Sequence, residues 1–288
     1  MQMPLLLVVG VGVVAGADQT RAVWVMKDHQ EPVAGVHMHR SGTYFFSCSF
    51  DGTAKVWDTG SQRVVGSTKV HLDIVSAIQA TDRHLITGSW DRTVKVWELQ
   101  GTRVGRCTSI LKHNGKVNCL GSAASLLATG ASDRLSEVNS LAFWRGDELL
   151  CSGGNRETLV WDLATGTSVA TLPGHGGEVN AVQADESRII TGGWDKTVKL
   201  WDPRSWLCEH TVKAHTWPVR CLQYDAASNR LVTGSADKTL KVWDLRMFGE
   251  CLNMLEGHTN FVSCLSLAGN VLVSGSDDCS VRLWDISA

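Results

Sequence analysis

No run of lysines and arginines, no Cys-x-x-Cys pair, no Asn-x-Ser/Thr sequon and no Gly-x-x-x-x-Gly-Lys-Ser/Thr loop occurs in these 288 residues. Each absence closes a class of function. With no basic run and a formal net charge of -2, the chain offers no electrostatic footprint to nucleic acid or to an anionic membrane surface. With no phosphate-cradling glycine loop, nucleotide binding of that kind is not expected. With no sequon, nothing favours secretion. Nine cysteines stand at positions 48, 107, 119, 151, 208, 221, 251, 264 and 279. Their number is odd and most lie in alternating apolar segments. That fits free, buried thiols in a reducing compartment, cytoplasmic or nuclear, better than a disulfide framework.

Long apolar runs are equally scarce. The one candidate, "MQMPLLLVVGVGVVAGADQ" at 1–19, ends in Ala15-Gly16-Ala17 as a signal peptide would. It has no basic start, and it is too short and too broken by glycine to span a bilayer. It reads as an apolar leader or irregular start, with a single domain expected over 20–288.

What the chain does have is repetition. "GSWDRTVKVWEL" (88–99) returns as "GGWDKTVKLWDP" (192–203). The same anchor recurs as Trp57-Asp58, Trp97-Glu98, Trp161-Asp162, Trp201-Asp202, Trp243-Asp244 and Trp284-Asp285. A second anchor, His followed four residues later by Val, appears at His29, His71, His113, His175, His215 and His258; Val138 opens a further unit without its His. The Val positions step by 42, 42, 21, 41, 40 and 43. Steps of 40 to 43, each holding several short alternating runs, are the period of a β-propeller blade. One repeat shows the pattern: "VSAIQA" (75–80), "LITGS" (85–89), "TVKVWEL" (93–99) and "RVGRCTSI" (103–110) read as strands a to d.

These anchors, in register across residues 29 to 286, resemble the WD40-repeat family. The resemblance implies an all-β propeller of seven blades. The chain ends just past strand c of its last repeat, and "TRAVWVMKDH" (20–29) is a spare strand-like run. The implied closure lends that N-terminal strand to the last blade, which removes free edges. The 21-residue step predicts a third blade cut to two strands, lacking c and d. A six-bladed ring with 117–137 as an insertion is the alternative. In the next unit, "GGNRETLVWD" (153–162), Asn155 or Arg156 replaces the expected Asp and one residue is missing before Trp161.

The recurring sets His71/Thr87/Asp91, His215/Thr233/Asp237 and His258/Ser274/Asp278 invite comparison with a nucleophile, its base and an orienting acid. A catalytic triad is used once, and this set recurs. The resemblance implies instead a structural hydrogen-bonded network, completed by Trp97, Trp243 and Trp284, that ties the d–a loop to the b–c turn. His37 and His39 share one strand face, but two imidazoles without further ligands are too few for zinc. No catalytic residue, metal or cofactor is therefore expected.

The residue before each b–c Asp is not fixed by that network. It reads Phe50, Trp90, Ser132, Trp194, Ala236 and Asp277. The d–a loops add Trp217 and Phe261, and Arg220 follows a repeat Val. Phe50, Trp90, Trp194, Trp217, Arg220 and Phe261 would gather on one loop face, where aromatics and Arg favour protein or peptide recognition. Sideways packing of Trp90 and Trp194 onto neighbouring blades is the competing reading. The expected function is a monomeric, non-enzymatic interaction scaffold. The stretches at 42–58 and 84–99 are similar to the propeller half of F-box/WD-repeat proteins, which implies the substrate-receiving part of a Skp1–cullin ubiquitin ligase. Only about twenty residues precede the first repeat, so no F-box is expected in this chain. A structural subunit binding through its blade sides is the alternative. An enzyme on the same fold is a weaker one, since no non-repeating carboxylates or metal ligands converge.

Overall fold

The computed structural model describes residues 22–123, 126–133, 136–145, 148–247 and 250–287; the leader read at 1–19 lies outside them. Strand β1 (Trp24–Lys27) comes first, then seven antiparallel sheets in chain order. Sheet 1 holds β2 (Val33–Met38), β3 (Tyr44–Ser49), β4 (Thr53–Asp58) and β5 (Arg63–Lys69). Sheet 2 holds β6 (Val75–Ala80), β7 (His84–Ser89), β8 (Thr93–Gln100) and β9 (Arg103–Lys112). Sheet 3 has β10 (Lys116–Ser122), β11 (Leu127–Asp133) and β12 (Ser136–Glu137). Sheet 4 has β13 (Ser140–Trp144), β14 (Leu149–Gly153), β15 (Glu157–Asp162) and β16 (Thr167–Pro173). Sheet 5 has β17 (Val179–Ala184), β18 (Ile189–Gly193), β19 (Thr197–Trp201) and β20 (Cys208–Lys213). Sheet 6 has β21 (Val219–Asp225), β22 (Arg230–Ser235), β23 (Leu240–Asp244) and β24 (Cys251–Leu255). Sheet 7 joins β25 (Val262–Ala268), β26 (Val271–Ser276) and β27 (Ser280–Asp285) to β1.

The first strand of each sheet, strand a, packs against that of the next, and β25 packs against β2. The seven sheets thus close a ring around a channel lined by all seven a strands. β1 completes it, pairing antiparallel with β27 from Trp24↔Leu283 to Lys27↔Ser280.

Burial follows position in the blade. β7 is buried along Leu85–Ser89, because sheets cover both its faces. The outer strand β5 alternates exposed and half-buried residues, as an edge with one covered face does. Apolar clusters fill the gaps between neighbouring sheets; Phe45, Trp57, Val273 and Leu283, for example, seal sheet 1 against sheet 7. The repeat valines 33, 75, 117, 179, 219 and 262 are fully buried, each contributing about 1.5–3 kcal/mol.

Sheet 3 bears out the seven-blade reading over its six-bladed alternative and corrects one detail. The segment from 117 is a blade, not an insertion, since Asn118, Cys119 and Leu120 line the channel with the other a strands. It has three strands rather than two. The third, β12, is a two-residue stub that pairs only Ser132↔Glu137 and Asp133↔Ser136. Damage spreads no further than the neighbouring sheet. Six of the seven sheet interfaces carry a buried apolar cluster, and among the described residues the interface between sheets 3 and 4 carries none. Sheet 4 also buries Ser140 Oγ, Trp144 Nε1 and Thr158 Oγ1 without a hydrogen-bond partner among the described residues. Sheet 4 is the unit that lacks its His.

Candidate functional site

Two features of the repeat build one face of the ring. The first is the b–c turn. In sheet 2, Ser89 Oγ accepts the Asp91 N–H at 3.0 Å, and Asp91 Oδ1 accepts the Thr93 N–H and hydroxyl at 3.0 and 2.6 Å. The residue after the Asp takes a left-handed conformation: Gly52, Arg92, Lys196, Lys238 and Cys279 have φ of 77°, 67°, 69°, 73° and 63°. A short polar side chain that bonds its own backbone favours such a turn. The remaining carboxylate oxygen faces the histidine. His71 Nδ1 lies 2.8 Å from Asp91 Oδ2, its Nε2 2.8 Å from Thr87 Oγ1, and the Trp97 indole donates to Thr87 Oγ1 at 3.1 Å.

The same four-residue chain stands in sheets 1, 5, 6 and 7. It joins His29, Ser47, Asp51 and Trp57; His175, Thr191, Asp195 and Trp201; His215, Thr233, Asp237 and Trp243; and His258, Ser274, Asp278 and Trp284. Burial alone would raise these five carboxylates. Donors from His and Ser or Thr outweigh it and hold them below the ordinary carboxylate range. Burial pushes His71, His175 and His258 below the ordinary imidazole value despite their carboxylate partners. Ser47, Thr87, Thr191, Thr233 and Ser274 are fully buried, so no substrate atom reaches a hydroxyl. The arrangement holds loops; it has no open nucleophile.

Sheet 4 settles the choice left open at Asn155 and Arg156. Arg156 has φ 67°, the conformation of the residue after the Asp, so Asn155 takes the Asp place. Gly153 pairs with Thr158, which leaves a turn one residue shorter than in the complete blades. Gly154 alone fills the space that Ser89 and Trp90 share in sheet 2, so this blade presents no aromatic there.

The second feature is a β-bulge one residue after the repeat Val. The ladder between strands a and b shifts register there in sheets 1, 2, 3, 5, 6 and 7. A bulge re-aims one side chain. Here it turns Ala34, Ser76, Asn118, Asn180, Arg220 and Ser263 into the channel mouth. Only Arg220 of this set was singled out in the sequence; the others are legible as the position after each Val.

The mouth is a cavity of about 310 Å³ whose wall includes Phe50, Trp90, Trp194 and Arg220. Beside it, Trp194, Trp217, Phe261, Pro218, Lys196 and Arg220 enclose a more apolar cavity of about 340 Å³. The two share Trp194 and Arg220, so the six residues form one continuous surface. They are not equivalent. Trp90 is half-buried; it packs sideways on Phe50 with centroids 5.9 Å apart, and Lys116 Nζ lies 4.0 Å over its ring. Trp194 and Trp217 are 53% and 57% exposed. Phe261 lies 6.4 Å from Trp217, with the Arg220 guanidinium 5.8 Å over its ring. Of the other residues before the Asp, Ala236 is buried, Ser132 accepts from Asn118, and Asp277 accepts from Ser263. Lys116, Lys196 and Glu178 also belong to this face and carried no repeat signal.

His37 and His39 do not form a metal pair. His39 stacks on Tyr44 at 4.3 Å and faces Asp82 at 3.3 Å, while burial brings His37 down to about 4. Among the described residues no group of three or more His, Cys, Asp or Glu could hold a metal ion. None of their helices is long and apolar enough to cross a membrane. All nine cysteines are free; Cys48, Cys119, Cys151 and Cys264 are buried, while Cys208 and Cys251 are exposed.

A family profile described as "WD domain, G-beta repeat" matches residues 20–58, 62–98, 166–202, 206–244 and 249–285. The long gap in these matches, 99–165, holds β9, all of sheet 3 and β13 to β15 of sheet 4. Relatives include Mitochondrial division protein 1 of Neosartorya fischeri, 30% identical over 238 residues, covering 69% of this chain and 36% of that protein. Nuclear distribution protein nudF of Aspergillus niger is 28% identical over 270 residues, covering 83% of this chain and 56% of its own length. Telomerase protein component 1 of Mus musculus is 29% identical over 208 residues, covering 67% and 7%. The chain spans about a third of the mitochondrial division proteins it matches.

Proposed function

The chain belongs to the WD40-repeat family, and on that premise we propose that it is a non-enzymatic scaffold whose channel-mouth face binds another protein or a peptide. The family generally binds proteins. The observation that carries the reading here is the continuous surface of Phe50, Trp90, Trp194, Trp217, Arg220 and Phe261 over two adjoining cavities. Trp194 and Trp217 stand more than half exposed at positions the loop-holding network leaves free. Exposed indoles beside an arginine are the side chains that dominate protein interfaces.

A finer reading makes the face a receiver of ubiquitin-ligase substrates. It rests on the likeness of 42–58 and 84–99 to the propeller part of F-box/WD-repeat proteins, F-box/WD repeat-containing protein 9 among them. The relatives reported above carry other names: mitochondrial division, nuclear distribution, telomerase component.

The test compares the intact chain with a Trp90→Ala, Trp194→Ala, Trp217→Ala variant, shown by circular dichroism to be folded, in paired pull-downs read by mass spectrometry. Partners lost only from the variant are then remade as purified proteins, and the variant should bind them at least about 30-fold more weakly. Partners held equally by both would move binding away from this face. Recovery of a substrate that full-length F-box proteins ubiquitinate would support the finer reading.

A further inference from the structure

The third sheet stops where every other sheet continues. Elsewhere strand b lies between a and c. In sheet 3, β12 covers only Ser132 and Asp133 of β11. Along Leu127–Ala131, among the described residues, no strand lies on the outer side. Antiparallel geometry then leaves alternate N–H and C=O groups of this stretch pointing outward, as on any open edge. Exposure reports the same gap. Leu85 and Thr87 of β7 are fully buried, while their counterparts Leu127 and Thr129 are only half-buried and Leu126 is 42% exposed.

The hydrogen-bonded network identifies what is missing. Six sheets place an indole N–H on the strand-b hydroxyl: Trp57 on Ser47, Trp97 on Thr87, Trp161 on Ser152, Trp201 on Thr191, Trp243 on Thr233 and Trp284 on Ser274. Thr129 Oγ1 has His113 Nε2 at 3.0 Å and, among the described residues, no indole. We propose that β11 is an acceptor edge for an extended segment of a partner protein, which pairs antiparallel with Leu127–Ala131 and donates a tryptophan N–H to Thr129.

The intact neighbour supplies the register. Trp97 stands opposite Leu85, Val96 opposite Ile86 and Val94 opposite Gly88. The incoming strand therefore reads apolar-x-apolar-Trp, with Trp opposite Leu127 and the apolar residues opposite Ala128 and Gly130. None of these 288 residues offers such a segment free. Its own runs of that kind, ending at Trp57, Trp97, Trp201, Trp243 and Trp284 in strand c and at Trp144 in strand a of sheet 4, each occupy a strand of a sheet, as does the Thr158–Trp161 variant, and residues 1–21 contain no tryptophan. A second copy could donate one only by dismantling a blade. The occupant comes from another protein.

The probe is a fluorescein-labelled peptide of residues 93–100, TVKVWELQ, titrated against the full chain by fluorescence anisotropy, with hydrogen exchange read on the complex. The expected result is saturable binding with new amide protection confined to 127–131. A Trp97→Phe peptide should bind about 5- to 10-fold more weakly, the effect of one hydrogen bond. Thr129→Val in the chain should match that loss, and Thr129→Ser should preserve binding, because serine accepts the indole in sheets 1, 4 and 7. If Thr129→Val fails to fold, the substituted peptide on the unaltered chain decides. The Trp194→Ala, Trp217→Ala variant should bind the peptide unchanged, which separates this edge from the channel-mouth face. No saturable binding, equal binding of a scrambled peptide, or protection outside 127–131 would overturn the proposal. So would a dimer of the chain that the peptide dissociates, since that gives the edge to a second copy.

Discussion

Replacing Thr233 by valine tests the loop-holding network at its centre. Thr233 is fully buried; its Oγ1 lies 2.8 Å from His215 Nε2 and accepts the Trp243 indole N–H at 3.0 Å. His215 Nδ1 lies 2.9 Å from Asp237 Oδ2. One proton arrangement satisfies every atom: Nδ1–H donates to the carboxylate, the threonine hydroxyl donates to Nε2, and the indole donates to Oγ1. Valine keeps the shape and removes both bonds, leaving a buried imidazole nitrogen and a buried indole N–H unpaired. Each orphan costs about 1–3 kcal/mol, so the loss is about 2–6 kcal/mol and the thermal midpoint falls by about 4–24 °C. Thr233→Ser retains both bonds and loses one methyl, about 1 kcal/mol. Thr129→Val removes a single bond at a half-buried site, again about 1 kcal/mol. Calorimetric melts of the three variants give the order. Thr233→Val no worse than Thr129→Val would refute the idea that the network's buried polar atoms, rather than its apolar neighbours, hold the loops.

Acid should weaken the fold in two stages. Burial holds His71, His175 and His258 below the usual imidazole value, and His37 at about 4. The unfolded chain therefore takes up more protons than the folded one, and stability falls as pH drops below about 6.5, by about 1.4 kcal/mol per pH unit for each imidazole. The lowered carboxylates Asp51, Asp91, Asp195, Asp237 and Asp278 add a second loss below about pH 4. A melting temperature flat from pH 8 to 5 would contradict the first stage. Under native conditions iodoacetamide should alkylate exposed Cys208 first. Cys119 and Cys151, pushed to about 12 by burial, should react only after denaturation, as mass spectrometry would show. Inserting a c–d pair copied from 93–112 after Asp133 should raise the thermal midpoint by several degrees by covering the open edge; an unchanged midpoint would mean that 117–161 already packs as a complete unit.

Much of the fold is legible in spacing alone, because each blade repeats the same demands. Val75 opens β6, and "TVKVWEL" falls within β8 (Thr93–Gln100) with Trp97 in its register. The breakdown is legible too, as a 21-residue step, though not its form. A two-residue strand such as β12 has no pattern of its own and exists only because Ser132 and Asp133 offer backbone partners. The candidate face divides similarly. The residue before each Asp marks Phe50, Trp90 and Trp194, but the side-by-side packing that half-buries Trp90 depends on Phe50 and Lys116 of adjacent blades. The distance around a ring is not written in any one repeat. Nor is the bulge that turns Asn118 and Asn180 into the channel, since it depends on pairing with β11 and β18.

The clasp between β1 and β27 sets an order of events during synthesis. Trp24 and Leu283 are partners roughly 260 residues apart in sequence, so β1 leaves the ribosome before all seven sheets and waits for the last of them before it can pair. Bringing such distant ends together costs about 5 kcal/mol of chain entropy in a flexible polymer. Blades already stacked shorten that distance, so the clasp is cheapest as the last step. A nascent chain stalled before Ser280 would therefore display a seventh sheet lacking two of its four strands, a surface that chaperones can recognise and that vanishes once β27 has emerged.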